Sequence, residues 1–238
     1  MSIMKVEELR MYGKALEMPK EALRKQGKIT FNLIRKEFGI TGLIGIMLST
    51  RKHAKRINKE YPEAVAKAKK ISDVFAKELA ALGGLFSAIA DRKGRKFAKE
   101  FMSRMAHNVA AVSMPAIYQI NDLVKCEGDV FDNYKKMNRA LFTTTNRMGT
   151  WKHNGFHETE DLLEFKVTTC ANIELFEAIG CPELNVFGCE HDLAGYPLIE
   201  DATNSEFRRH CTLAKGGDCC HFKFYRKGTA PDSTQLNQ

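Results

Sequence analysis

The residues best equipped for chemistry gather in the last third of the chain. Cys170, Cys189, Asp192, Arg209 and Cys220 head the set, with His191, His210 and Thr212 beside them in sequence. The densest stretch is Glu206 to Arg226, EFRRHCTLAKGGDCCHFKFYR. It carries Cys211, Cys219, Cys220, His210, His221 and the adjacent Arg208-Arg209. A thiol outside a disulfide can be a small buried hydrophobe, a metal ligand, or a nucleophile. The last needs a pKa lowered by a helix N-terminus, a cation or an imidazole, and His191, His210, Arg208 and Arg209 are available for that.

Spacing limits these readings. Cys189 and Asp192 stand at i and i+3, so a helix there puts both on one face. If that helix crosses a sheet, the pair can meet Cys170 at a strand end and Cys220 in a hairpin. Zinc would accept thiolates, His191, His221 and Asp192 as ligands. Yet no CxxC pair occurs. Cys219 and Cys220 are strand neighbours that point to opposite faces, so one ion would not take both. The expectation is a site without a cofactor, with a divalent ion such as zinc or manganese as the alternative. Cys126, Cys181 and Cys211 read as packing residues, while Cys219 is less settled. For Cys170, Cys189 and Cys220, packing and chemistry both remain open.

Several elements must position these groups. The alternation of Cys220, Phe222 and Phe224 against His221, Lys223 and Tyr225, with Lys215-Gly216-Gly217-Asp218 as a turn, predicts a hairpin whose first strand spans Phe207 to Ala214. Leu162 to Thr169 alternates as a half-buried strand, with Cys170 just past its end. Trp151 to Phe156 is a shorter strand. Helices are predicted over Asn172 to Ile179 and from Pro182 to Asp192, the latter carrying Cys189. Upstream, apolar residues recur at three- and four-residue steps. They predict helices over Ile29 to Glu60, Pro62 to Ala90 and Phe97 to Val112, a resumption after Pro115 to Leu123, and Asp129 to Met148. Helices followed by an antiparallel sheet argue for an α+β fold. The expected organisation is a basic helical region over 1–84, an α+β domain over 85–228 and a disordered tail over 229–238. Within that domain the helices cover 85–148, and the sheet and site cover 149–228.

Charge divides the chain. Of 238 residues, 1–150 carry 29 Lys and Arg against 15 Asp and Glu, a net of +14. Residues 151–238 carry 8 against 14, a net of −6. The cations are spread over several helices without interleaved aromatics, so helix solvation is expected rather than nucleic-acid binding. Ile40 to Arg56 joins an apolar run to a basic end; a buried helix is expected there, with a membrane surface or partner as the alternative. The longest apolar run falls far short of the roughly 20 residues that span a bilayer. No signal peptide is evident, and the seven cysteines are an odd number, so a cytoplasmic location with reduced thiols is expected. The expected partner is a small-molecule substrate, and a homo-oligomer is the remaining possibility for assembly.

Taken together, the motifs resemble the L-2-amino-thiazoline-4-carboxylic acid hydrolase family. They are Cys170 after a strand, Cys181-Pro182-Glu183-Leu184, Cys189 followed by Asp192, Arg209, and the run Thr212-Leu213-Ala214-Lys215-Gly216-Gly217-Asp218 closing on Cys220 and Phe222. The resemblance is close over Leu163 to Arg226 and weaker back to Leu85. Two positions depart from it: His210, where relatives often carry Thr, and His221, where Asp is common. Both are expected on the pocket wall.

The resemblance implies hydrolysis of a small cyclic amidine, in the named reaction the opening of 2-amino-thiazoline-4-carboxylate to N-carbamoyl-L-cysteine. It implies Cys189 or Cys170 as nucleophile, Asp192 on the amidinium, Arg209 and Thr212 on the substrate, and His191 or His210 activating water. Two other readings remain. One is a non-enzymatic module that holds a small ligand or metal, similar to vinyl-reductase-like ligand-binding domains, whose hairpins share the Gly-turn-Cys ending. The other is a different enzyme on the same site, acting on another sulfur- or nitrogen-rich small molecule.

Overall fold

The computed structural model describes residues 4–14 and 17–231. Helix α1 runs over Lys20–Glu60, nine residues earlier than periodicity places its start. It bends at Gly39, whose φ of +69° and ψ of −177° leave the helical region, a conformation glycine adopts without a Cβ penalty. Helix α2 covers Pro62–Ile71 and opens on a proline, whose missing N–H is no loss at that position. The single helix expected over 62–90 is in fact two. Ser72 ends α2 and caps α3, Asp73–Lys93, its Oγ accepting from the Phe75 N–H at 2.9 Å. Helix α4, Arg95–Ile117, passes through Pro115 instead of stopping there. Pro115 lies in the last turn, so little of the helix is left to disrupt. The chain turns at Gln119, φ 49°, into the short α5, Ile120–Leu123. Helix α6, Val130–Met148, is capped by Asp129, which accepts from the Asp132 N–H at 3.0 Å.

Five antiparallel strands follow: β1 Trp151–His153, β2 His157–Glu158, β3 Leu162–Cys170, β4 Ser205–Arg209 and β5 Cys220–Arg226. Their order is β1-β3-β5-β4, and β2 also pairs with β3. Helix α7, Ala171–Ala178, leaves β3 directly. A 3-10 turn at Pro182–Val186 leads into α8, Phe187–Gly195, and α9, Glu200–Thr203, precedes β4. The expected hairpin exists as the β4–β5 pair, but β4 stops at Arg209 instead of Ala214. Residues 210–219 fold inward instead of extending the ladder. The Thr212 carbonyl accepts from the Lys215 and Gly217 N–H groups at 3.1 and 3.0 Å, and Gly216 closes the turn at φ 83°.

Two clusters of buried side chains hold the molecule. One joins Ile34, Leu43, Ile46 and Ile57 of α1 to α2, α3, α4 and α7. The expected domain boundary at residue 84 falls inside α3, and buried residues on both sides of it belong to this cluster. The other lies between the sheet and α6 and takes in Val6, Leu9 and Met11. Its centre is aromatic. Register sets Phe165 opposite Phe222, with rings stacked 5.2 Å apart at 7°. The fold is α+β: a helical N-terminal region and a small antiparallel sheet with helices packed on it. No helix among the described residues is long and apolar enough to cross a membrane. Of the expected disordered tail, residues 232–238 lie outside the described residues.

Candidate active site

Where β3, β5 and α8 converge, a cavity of about 150 Å³ opens beneath α4 and α6. That is about the volume known to accept a benzene-sized ligand. Its wall contains Cys170, Cys189, Cys220, Asp192, His191 and Arg209. Each arrives from a different constraint. Cys170 is the last residue of β3 and caps α7. Cys220 opens β5 and faces inward with Phe222, while Cys219 faces away and lies 3.6 Å from Cys211, thiol to thiol. Cys189 and Asp192 share one face of α8.

Helix α8 is fixed against α4. The Glu190 carboxylate pairs with His107 Nε2 at 2.8 Å. His191 Nε2 meets Ser113 Oγ at 2.5 Å, and that hydroxyl already donates to the Val109 carbonyl at 2.9 Å. Ser113 has one proton, so it accepts from His191, which places the His191 hydrogen on Nε2. In the neutral ring Nδ1 then keeps its lone pair, 4.0 Å from Asp192 Oδ1. Gly195 permits the close packing, since a Cβ there would fall 2.6 Å from Met114 Cγ.

Arg209 is fully buried and braces the site. Its Nη1 donates to Asp192 Oδ2 and its Nη2 to the Cys189 carbonyl, both at 2.9 Å. The guanidinium carbon lies 5.8 and 5.7 Å from the Phe207 and Phe222 rings, within cation–π range. Arg209 Nε is buried without a partner.

The three thiols are not equivalent. The neighbouring Cys220 thiol is the main influence holding Cys189 below the ordinary thiol pKa; burial opposes this, and the Arg209 charge assists it. Cys220 is correspondingly pushed far up, and the Leu213 N–H points at its sulfur from 3.3 Å. Burial also raises Cys170, only partly offset by the Ile173 and Asn172 N–H groups at the start of α7. The arrangement therefore offers a thiol at Cys189 that ionises more readily than usual, thiols at Cys220 and Cys170 that ionise less readily, and the Nδ1 side of His191 facing Asp192.

Two expected residues lie off the cavity wall. The Thr212 hydroxyl is buried behind it without a conventional partner and lends the Cys189 thiolate a weak contact. His210 sits ring to ring with His221, centroids 5.8 Å apart. His221 pairs with Glu164 on the outward-facing positions of the sheet. The pocket-wall expectation for positions 210 and 221 is therefore corrected: strand alternation turns His221 away from Cys220 and Phe222.

The wall also holds residues not anticipated from sequence. Tyr118 donates to Asn138 Oδ1 at 2.7 Å and lies 3.2 Å, oxygen to oxygen, from Tyr196, and burial raises both phenols. Trp151, Asn172 and Asn185 complete the polar and aromatic lining. The single tryptophan was a usable signal; the tyrosines lie in apolar runs that read as core. Among the described residues no group of three or more His, Cys, Asp or Glu is arranged to hold a metal ion.

No curated protein and no solved structure matches the chain. The family model described as L-2-amino-thiazoline-4-carboxylic acid hydrolase matches residues 74–224, from the start of α3 to the middle of β5. That span holds every residue of the cavity wall and more than half of the sequence, and the chain belongs to the L-2-amino-thiazoline-4-carboxylic acid hydrolase family.

Proposed function

We propose that this protein opens a small cyclic amidine of the 2-amino-thiazoline type by thiolate attack, giving a ureido thiol. The observation that carries the reading is Cys189, a thiol held below its ordinary pKa on the wall of a largely apolar cavity. Cys189 Sγ attacks the amidine carbon, and the ring carbon–sulfur bond breaks. The departing sulfur takes the Cys220 proton. Asp192 Oδ1, left free by the Arg209 contact on Oδ2, accepts from the amidinium N–H groups and keeps that carbon electrophilic. Water then attacks the S-bound amidino carbon, and His191 Nδ1 takes its proton. Cys189 departs as thiolate, the remaining O–H proton, equivalent to the one the amidinium brought, leaves to solvent as the urea carbonyl forms, and the proton on His191 returns to Cys220. One water is consumed, as ring opening to a carbamoyl cysteine requires.

Arg209 is assigned a different part from the carboxylate clamp that the resemblance implies. Its two Nη groups are already engaged, so it positions Asp192 and the Cys189 carbonyl. The test is product identity. Pure protein incubated with L-2-amino-thiazoline-4-carboxylate should form one N-carbamoyl-cysteine per turnover, its new thiol read by titration and its mass by mass spectrometry. Absence of this product over hours at high protein concentration refutes ring opening of this substrate.

A further inference from the structure

A second space adjoins the cavity. A groove of about 420 Å³ runs between the first turns of α1, α3 and α8 and the second half of α4. It shares Ile117, Trp151, Asn172, Gly188 and His191 with the cavity wall, so the two form one continuous site. Its sides are mainly apolar, with Leu79, Leu82, Met105, Val109, Phe176 and Phe187 among them. No lysine or arginine lines it. Its one carboxylate among the described residues, Glu78, lies at the exposed edge of the groove, and partial loss of hydration raises its pKa. Among the described residues, the one Lys or Arg on the cavity wall is Arg209, already bound to Asp192 and the Cys189 carbonyl.

These features bear on what the ring carries. A carboxylate on the ring carbon finds no uncommitted cation in either space, and in the groove it meets Glu78. Leaving an anion unpaired in such surroundings is unfavourable. An apolar chain instead finds a surface continuous with the reacting centre, and each buried methylene adds roughly fourfold to binding. We infer that the preferred substrate is a 2-amino-thiazoline whose ring carries an uncharged apolar substituent seated in this groove, in place of a free carboxylate. The inference rests on the ring-opening reading for its chemistry, but on the groove for its specificity.

The test compares three compounds: unsubstituted 2-amino-2-thiazoline, its 4-carboxylate and its 4-hexyl derivative. The 4-hexyl compound should exceed the 4-carboxylate at least tenfold in kcat/KM. Ala81→Trp and Thr30→Trp, both on the groove wall and away from the reacting groups, should remove that advantage while leaving the unsubstituted ring's turnover unchanged. Glu78→Gln should narrow the gap by improving the carboxylate. A carboxylate turned over as well as or better than the hexyl compound overturns the inference and leaves ring opening intact. If no compound reacts, ring opening fails, and calorimetric binding to the wild-type protein decides the groove separately. Tighter binding of the hexyl compound, abolished in Ala81→Trp, supports the groove; equal or weaker binding overturns it.

Discussion

At the scale of single residues, the site depends on two unequal thiols. Cys189 is held below its ordinary pKa and Cys220 is pushed above its own, and the Arg209 charge assists the first. A lowered thiol pKa means thiolate persists below the ordinary value of about 8.5. Iodoacetamide alkylation of Cys189 should therefore rise with pH to a half-maximum below that value, and fall away only as pH drops through the lowered pKa. Cys220→Ala removes the leading cause and should move the midpoint up, as peptide mapping across a pH series would record. A midpoint unmoved by that change would show that Cys220 is not that cause. Arg209 makes a different prediction. Arg209→Leu leaves Asp192 and the Cys189 carbonyl without their donor, and breaking one side of a buried pair costs about 3–5 kcal/mol. Urea unfolding should register that loss; a stability change under about 1 kcal/mol would show that the pair is not a brace.

At the scale of elements, α8 carries Cys189, the proposed nucleophile, and its seat on α4 sets where Cys189 lies. Gly195→Ala drives a Cβ to within 2.6 Å of Met114 Cγ and 3.3 Å of Met114 Cβ, so the helices must part or Met114 must move. Overpacking of this kind costs about 1–3 kcal/mol. Met114→Ala opens the space, so the double variant should lose less than the two single changes added together, a coupling visible in a thermal-melt cycle. Strict additivity would mean that α8 is held elsewhere. This is also where sequence reading succeeded and failed. The i, i+3 spacing of Cys189 and Asp192, and the strand alternation that turns Cys220 inward, are local facts and were legible. The turn at Lys215-Gly216-Gly217-Asp218 was legible too, but the length of β4 was not: no residue pattern announces that the ladder stops at Arg209 and that the Thr212 carbonyl takes the Lys215 and Gly217 N–H groups. The Arg209–Asp192 pair was also hidden: it joins a strand end to a helix 17 residues earlier, and only packing brings them together.

At the scale of the whole molecule, the basic half is bound into the fold. Val6, Leu9 and Met11 enter the sheet core, and α1 contributes to the helical core, although the family match begins only at residue 74. A chain starting at residue 74 loses these contacts from both cores. It should show a broad, weakly cooperative melt and bind a hydrophobic dye, whereas a sharp two-state melt would mean that the family region folds alone. The mixed character of the surface follows from the same division: lysines and arginines coat the long helices, while the acidic half folds its apolar face around the site. The measurement that bears most directly on the central claim is the initial rate of thiol release from L-2-amino-thiazoline-4-carboxylate by Cys189→Ala beside the wild-type protein. The account predicts turnover by the wild type and a fall of at least about a thousandfold in the variant, the order expected when a nucleophile is removed. Undiminished turnover by Cys189→Ala would contradict it and assign the chemistry to another group.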